Sequence, residues 1–298
     1  MSEIKSVAIA GANGVVGPHV LKALTEAGFQ VTILTRSKKS DAQDSNVKVV
    51  EVDYTSAQSL TAALTDIDAV VSTVGHEAIA AQQTLIDAAI AAGVKRFIPS
   101  EYSSCSYNPK IENLPTYTPM TRIRQYLDEQ AKAGKLTWTV LATGAFLEFL
   151  FDRPTLLDYA NHKATLYDKG DNRVSSTSLP QVGKAVVGVL KNLEATKNKI
   201  VKVSEVILTQ NQLLGIAKAL KPEIKWETHE VPCSVLVQQG LDDFKAGNTG
   251  MPAAMKVLAG TALAGDVYGC AFDENDNKLL GVKEMTEENL KKLVASKL

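Results

Sequence analysis

Val7-Ala8-Ile9-Ala10-Gly11-Ala12-Asn13-Gly14-Val15-Val16-Gly17 is the stretch on which the reading turns. Four apolar residues predict a short buried strand. Three glycines at three-residue spacing follow, and Val15 to Ala27 has helical periodicity closed by Gly28. In a strand–loop–helix unit of this kind each glycine has a separate task. Gly11 permits the tight turn, Gly14 lets the backbone approach an anion, and Gly17 lets the helix pack close to the strand. The helix N-terminus adds unpaired N–H groups and a partial positive charge. Gly11, Asn13, Gly14, Val15 and Gly17 are therefore candidate ligands of a pyrophosphate.

Working outward, the same rhythm repeats. Strands are expected at Val31–Leu34, Val47–Val52, Ala69–Val74, Arg96–Pro99 and Trp138–Ala142. Helices are expected at Ser56–Leu64, with Ser56 as N-cap, and at Ala78–Ala92, stopped by Gly93. Short strands that are apolar throughout and separated by helices predict a parallel sheet covered on both faces. Right-handed crossovers make it a doubly wound α/β sheet. After Gly144 the pattern loosens into a polar cluster at Tyr167–Asn172, a helix at Val182–Leu193, a strand at Ile200–Val203 and a tail helix at Glu284–Leu298. We read residues 1–150 as a nucleotide-binding domain. Residues 151–298 form a smaller substrate lobe interleaved with the last sheet strands.

Composition narrows the partners. Among 298 residues, 32 Lys plus Arg stand against 33 Asp plus Glu, a net charge of −1. No basic field is available for nucleic acid or an anionic membrane, so an anionic ligand needs a local cluster. The three cysteines are widely spaced and read as free thiols. The four histidines are never at metal-ligand spacing, so no metal is expected. No apolar run is long enough to span a membrane. Met1–Ser6 is expected to carry no signal peptide, which makes the cytoplasm the expected compartment.

The end of the second strand selects the nucleotide. A carboxylate there, about 20 residues after the loop, holds the ribose hydroxyls of NAD. This chain has Thr35-Arg36-Ser37-Lys38-Lys39 instead. Arg36 fits a 2′-phosphate through paired charged hydrogen bonds, so NADP(H) is expected. Lys38 is counted beside it, although a solvated basic turn also fits Lys38 and Lys39. Asp53 either accepts from the adenine amino group or caps the turn before Ser56. Thr73, Val74 and Gly75 end a strand at the crevice, and Gln82 on the next helix reaches the same region.

The acid/base group is harder to find. In ordinary short-chain dehydrogenases a Tyr followed four residues later by Lys supplies the proton. The one such pair here is Tyr159 and Lys163, which falls after the last sheet strand of the first half and reads as a surface helix end. No G-x-S-x-G hydrolase signature is present. The connection from Glu101 to Thr118 is long for a compact domain and is expected to be functional or mobile.

Taken in order, the glycine loop, Arg36, Val74-Gly75-His76 with Gln82, Lys95-Arg96-Phe97-Ile98-Pro99-Ser100-Glu101-Tyr102, Gly144-Ala145-Phe146-Leu147, and Gly170-Asp171-Asn172 with Val182-Gly183 resemble the NmrA-like and isoflavone reductase-like family. These are atypical short-chain dehydrogenases that include phenylcoumaran benzylic ether reductases. The resemblance covers most of the chain and looks closest to fungal members. It implies a Rossmann domain, NADPH, a smaller substrate lobe and often reduction of aromatic substrates. It also implies a catalytic Lys four residues before a cofactor-contacting Arg. The Arg matches Arg124, but the Lys position holds Met120, which cannot donate a proton. Tyr102 and Lys110 are weak substitutes. Phe146 either walls the nicotinamide or belongs to a core stripe at the lobe interface. The leading expectation is an NADPH-dependent reductase of a small aromatic or enone-like molecule with a non-standard proton donor. The alternative is a non-catalytic, NADP-binding redox sensor that binds a protein partner. A homodimer is compatible with either.

Overall fold

The computed structural model describes residues 3–37, 44–154 and 156–298. Twelve strands are found among these residues. They are β1 (Ser6–Ala10), β2 (Gln30–Thr35), β3 (Val47–Glu51), β4 (Ala69–Ser72), β5 (Arg96–Ile98), β6 (Thr137–Ala142), β7 (Ala145–Phe146), β8 (Lys163–Tyr167), β9 (Val174–Thr177), β10 (Lys199–Lys202), β11 (Val206–Leu208) and β12 (Glu227–Val231). Seven of them form one parallel sheet in the order β10-β6-β5-β4-β1-β2-β3. The chain leaves β1 first toward β2 and β3 and then returns to its other side at β4. That reversal beside β1 opens a crevice at the carboxyl ends of the strands.

Alternation along β1 shows how the sheet is buried. Val7 and Ile9 face one layer, with α1 (Gly17–Glu26) against it; Ala8 and Ala10 face the other, covered by α2 (Ala57–Ala63), α3 (Gln82–Ala91) and α4 (Thr118–Lys132). Both layers are apolar, which is why the strands read as continuous hydrophobic runs. After β6 come α5 (Leu147–Phe151) and α6 (Leu179–Lys191), and α6 lies beside α1 under the first face. Later in the chain follow α7 (Gln210–Leu220), α8 (Cys233–Lys245) and α9 (Met251–Ala262). The short α10 (Asn277–Leu280) and the tail helix α11 (Glu287–Ala295) complete the chain. A third apolar cluster joins Leu147, Leu150 and Phe151 to Leu213, Leu214, Leu290 and Val294, and so gives the lobe a core of its own. Val257 of α9 instead belongs to the cluster of α3 and α4, which ties the lobe to the sheet domain.

Residues 199–202 supply the sheet's edge strand β10, close to the strand expected at Ile200–Val203. One sequence expectation changes. Tyr159 and Lys163 do not end a surface helix. Lys163 opens β8, which pairs with β12, and Tyr159 is 7% exposed and stacked on Phe151. The aromatic packing of Tyr159 and the Asp158–Lys163 bridge hold this segment as a turn into a strand. The small sheets β11-β9-β7 and β12-β8 were outside the expectations. Among the described residues, no helix is long and apolar enough to cross a membrane, and all three cysteines are free and buried.

At the opposite end of the sheet from the crevice, Asp68 joins three strands. Its carboxylate accepts from the amides of Lys5 and Ser6 at 2.8 and 3.0 Å and from Lys95 Nζ at 2.6 Å. Partial burial works against its ionisation, but Lys95 and the donors of Lys5 and Ser6 prevail and hold it at about 2. Its ordinary value is 3.8, so its stabilising contribution is complete above about pH 4 and disappears as the pH falls toward 2. Asp68→Asn is expected to cost about 1–2 kcal/mol at neutral pH and to flatten the acid limb of stability in that window. Urea unfolding followed from neutral pH into that window measures both.

Candidate nucleotide site

The crevice is a cleft of about 650 Å³ over the carboxyl ends of β1, β2 and β4. Its floor is made by backbone. Thr73 N and Thr73 Oγ1 both donate to Ala10 O, at 2.8 Å each, and so lock the end of β4 to the end of β1. Gly11 turns there with φ +85°, and a Cβ on it would lie 2.6 Å from Thr73 O. A Cβ on Gly17 would lie 2.3 Å from Gly11 O. No other residue fits either position, and the result brings the first turn of α1 directly onto the loop. Val16, the N-cap of α1, provides no side-chain cap to that first turn. Pro18 has no N–H and His19 N donates to Val16 O at 3.2 Å, so within that turn the Gly17 N–H is left for an anion.

Of the expected nucleotide ligands, Gly11, Asn13, Gly14, Arg36, Thr73, Val74, Gly75 and Gln82 line this cleft together. Gly17 is buried beneath it at the start of α1, and Val15 is half exposed on the loop. Lys38 lies outside the described residues. Arg36 stands at the end of β2 with no carboxylate partner among the described residues. Beside it Tyr54 lines the cleft, its hydroxyl donating to Leu34 O at 3.0 Å. Burial pushes the Tyr54 phenol up to about 12 against the pull of Arg36. A flat ring next to a guanidinium suits an adenine and its ribose phosphate.

Sequence reasoning passed over Tyr54, which belongs to no motif. It also missed Glu77, Ala78 and Leu85, and Met251, which comes from α9 in the lobe. His76 shares the wall of the cleft; burial lowers its pKa and Glu77 works against that shift. Gln82 is buried and ties the site together. It accepts from Ser100 N at 2.8 Å and donates to Ile79 O at 3.1 Å.

Other expected residues have different occupations. Asp53 accepts from Thr55 N and Thr55 Oγ1 at 2.8 and 2.7 Å, the turn-capping alternative. Arg124 does not line the cleft: its guanidinium is paired with Glu101 and, at 3.3 Å, with Glu112. Tyr102 donates to Ser72 O at 3.1 Å and its ring packs with the layer of α1 and α6. Lys110 is exposed on the loop. Met120 is 7% exposed within the apolar cluster of α3 and α4. Phe146 packs edge-on against Phe149 at 5.6 Å, with Arg153 over the Phe149 ring at 4.3 Å. The long connection is pinned to the lobe by Tyr117 with Thr261 at 2.6 Å and by Asn108 with Tyr268 O at 2.8 Å.

The description "NmrA-like family" matches residues 3–267. Oxidoreductase poxI of Penicillium oxalicum is 32% identical over 94% of this chain and 91% of its own. Oxidoreductase aprR of Aspergillus flavus is 30% identical over 97% of both. Among solved structures, the leucoanthocyanidin reductase–NADPH binary complex from Vitis vinifera superposes with a TM-score of 0.75. That similarity covers 97% of this chain and 99% of the other at 23% identity, a likeness of fold.

The Arg124 pairing makes a prediction. Burial raises the pKa of Glu101 and Arg124 opposes it, so loss of Arg124 strands a buried carboxylate. Arg124→Met is expected to cost about 3–5 kcal/mol of unfolding free energy, while NADPH affinity of the folded protein stays within about twofold, since 0.4 kcal/mol or less is at stake. Urea unfolding and calorimetric titration separate the two effects.

Proposed function

The chain belongs to the NmrA-like family, and on that premise we propose that it is an NADPH-dependent reductase of a small aromatic or enone-like molecule. The observation that carries this reading is the cleft itself. A glycine loop whose tightest points admit no side chain, a helix start without a side-chain cap, and an Arg36 with no carboxylate partner among the described residues, beside Tyr54, match, in order, a pyrophosphate, its charge and a 2′-phosphoadenosine. When bound, NADPH supplies a hydride. The protein's own residues hold the phosphates, orient the nicotinamide near Val74 and Gly75, and offer the aromatic pair of Phe146 and Phe149 to a flat substrate. The two fungal oxidoreductases and the leucoanthocyanidin reductase among the similar proteins support the same reaction class. The cytosol is the compartment that suits three free thiols and an NADPH-consuming reaction.

A second reading, an NADP-binding redox sensor with a protein partner, is favoured by one observation. Met120 is buried in an apolar cluster where the family has its lysine. A sensor must bind the oxidised and reduced nucleotides unequally to shift any equilibrium. A strong preference for NADP⁺ over NADPH therefore supports the sensor, and similar affinities support the reductase.

Arg36→Ala is expected to weaken NADPH binding by about thirtyfold or more, the worth of about 2 kcal/mol of charge-assisted hydrogen bonding. NADH binding should hardly change. Calorimetric titration of both nucleotides checks this, and an equal loss for the two would contradict Arg36 as the 2′-phosphate ligand.

A further inference from the structure

The loop that follows β5 holds a buried chain of proton-bearing groups that the nucleotide site does not use. Ser103 Oγ donates to Ser106 Oγ at 2.5 Å, and Ser106 Oγ donates to Glu101 Oε1 at 2.6 Å. Glu101 is 2% exposed and Ser106 is fully buried, whereas Ser103 is half-buried. The chain thus has one closed end and one open end. The open end is tethered to the end of β6 by backbone. Ser103 O accepts from Thr143 N at 3.0 Å at the end of β6, two residues before β7 carries Phe146. Just upstream, Ser100 Oγ donates to Val74 O, a cleft residue, at 2.8 Å.

The closed end has an independent peculiarity. Glu101 Oε2 is buried and has no hydrogen-bond partner. A carboxylate oxygen left bare in the interior is costly, and a proton there removes the charge. Arg124, paired with the same carboxyl group, stabilises the ionised form. Burial and Arg124 act in opposite directions on Glu101, and a group poised in this way can both hold and release a proton.

We infer that Ser103, Ser106 and Glu101 form a proton wire that serves the reaction in place of the family lysine, with Ser103 as the catalytic residue. This rests on the reductase reading. As the hydride arrives with its electron pair at a substrate carbon, the π bond to the neighbouring atom breaks and its electrons move onto that atom. The Ser103 O–H bond breaks and its proton goes there. Ser106 re-protonates Ser103, and the Glu101 carboxyl re-protonates Ser106. The remaining carboxylate is balanced by Arg124, and water returns the proton through Ser103 after the product leaves. The substrate is reduced by two electrons and NADPH is oxidised by two. Both hydroxyls point toward Glu101 in this structure, the arrangement of the wire after donation.

The test uses the full chain with NADPH and a panel of chalcone, cinnamaldehyde and phenanthrenequinone. Ser103→Ala and Glu101→Gln should each lower turnover about a hundredfold with NADPH affinity unchanged. The double variant should be no worse than either single one, because both break the same wire. The solvent deuterium isotope effect of the wild type should disappear in both. Independently of turnover, the infrared band of a protonated buried carboxyl should appear on acidification of the nucleotide-free protein and be missing in Glu101→Gln. Ser103→Ala removes a hydroxyl from a half-buried position, so the test survives if Glu101→Gln misfolds. Undiminished turnover in Ser103→Ala, or additive losses in the double variant, overturns the wire and leaves the reductase reading standing. A wild type that binds NADPH but reduces no member of the panel overturns the reductase reading, and the wire with it.

Discussion

The structure depends on one close approach. The end of β1, the end of β4 and the first turn of α1 meet within contact distance at Gly11 and Gly17, where a single methyl group would collide with backbone. Thr73 fastens the junction through two hydrogen bonds to Ala10 O. Backbone cannot move aside cheaply in a close-packed interior, so side chains are excluded from this point. The exclusion leaves a shallow floor of backbone at the mouth of a helix, between two strands that diverge from β1. Such a floor suits an extended anion, and the walls of the cleft are built by whatever the chain brings to the same end of the sheet.

Several parts of this were legible in the residues. The glycine spacing, the apolar strands and the basic end of β2 all express local rules that act within a few positions. β1, β2, β3, β4, β5 and β6 accordingly fall close to their expected ranges, and eight expected ligands converge on the cleft. Tyr54 was not legible, because a lone aromatic after a strand has no spacing that marks it. Met251 reaches the cleft from far along the chain, a relation that only tertiary packing creates. The strand β12 has mostly exposed residues and no alternation strong enough to announce it. Arg124 is placed by a different requirement. A motif position suggests a nucleotide contact, while burial of Glu101 beside it demands a counter-charge, and the second requirement prevails.

The same accounting explains the burial of Met120. The thioether adds apolar surface to a cluster that includes Ile123, Leu127 and Tyr117, and an ammonium there would be desolvated. The loop after β5 is clamped to α9 through Tyr117 and Thr261. The loop that carries Glu101, Ser103 and Ser106 is thus tied to lobe packing, and the lobe also reaches the cleft through Met251.

The most direct test of the central claim is a crystal structure of the chain grown with NADP⁺. The pyrophosphate is expected over the Gly11–Gly17 loop, the 2′-phosphate hydrogen-bonded to Arg36 and the adenine against Tyr54. A nucleotide bound elsewhere, or one whose 2′-phosphate points away from Arg36, would contradict it.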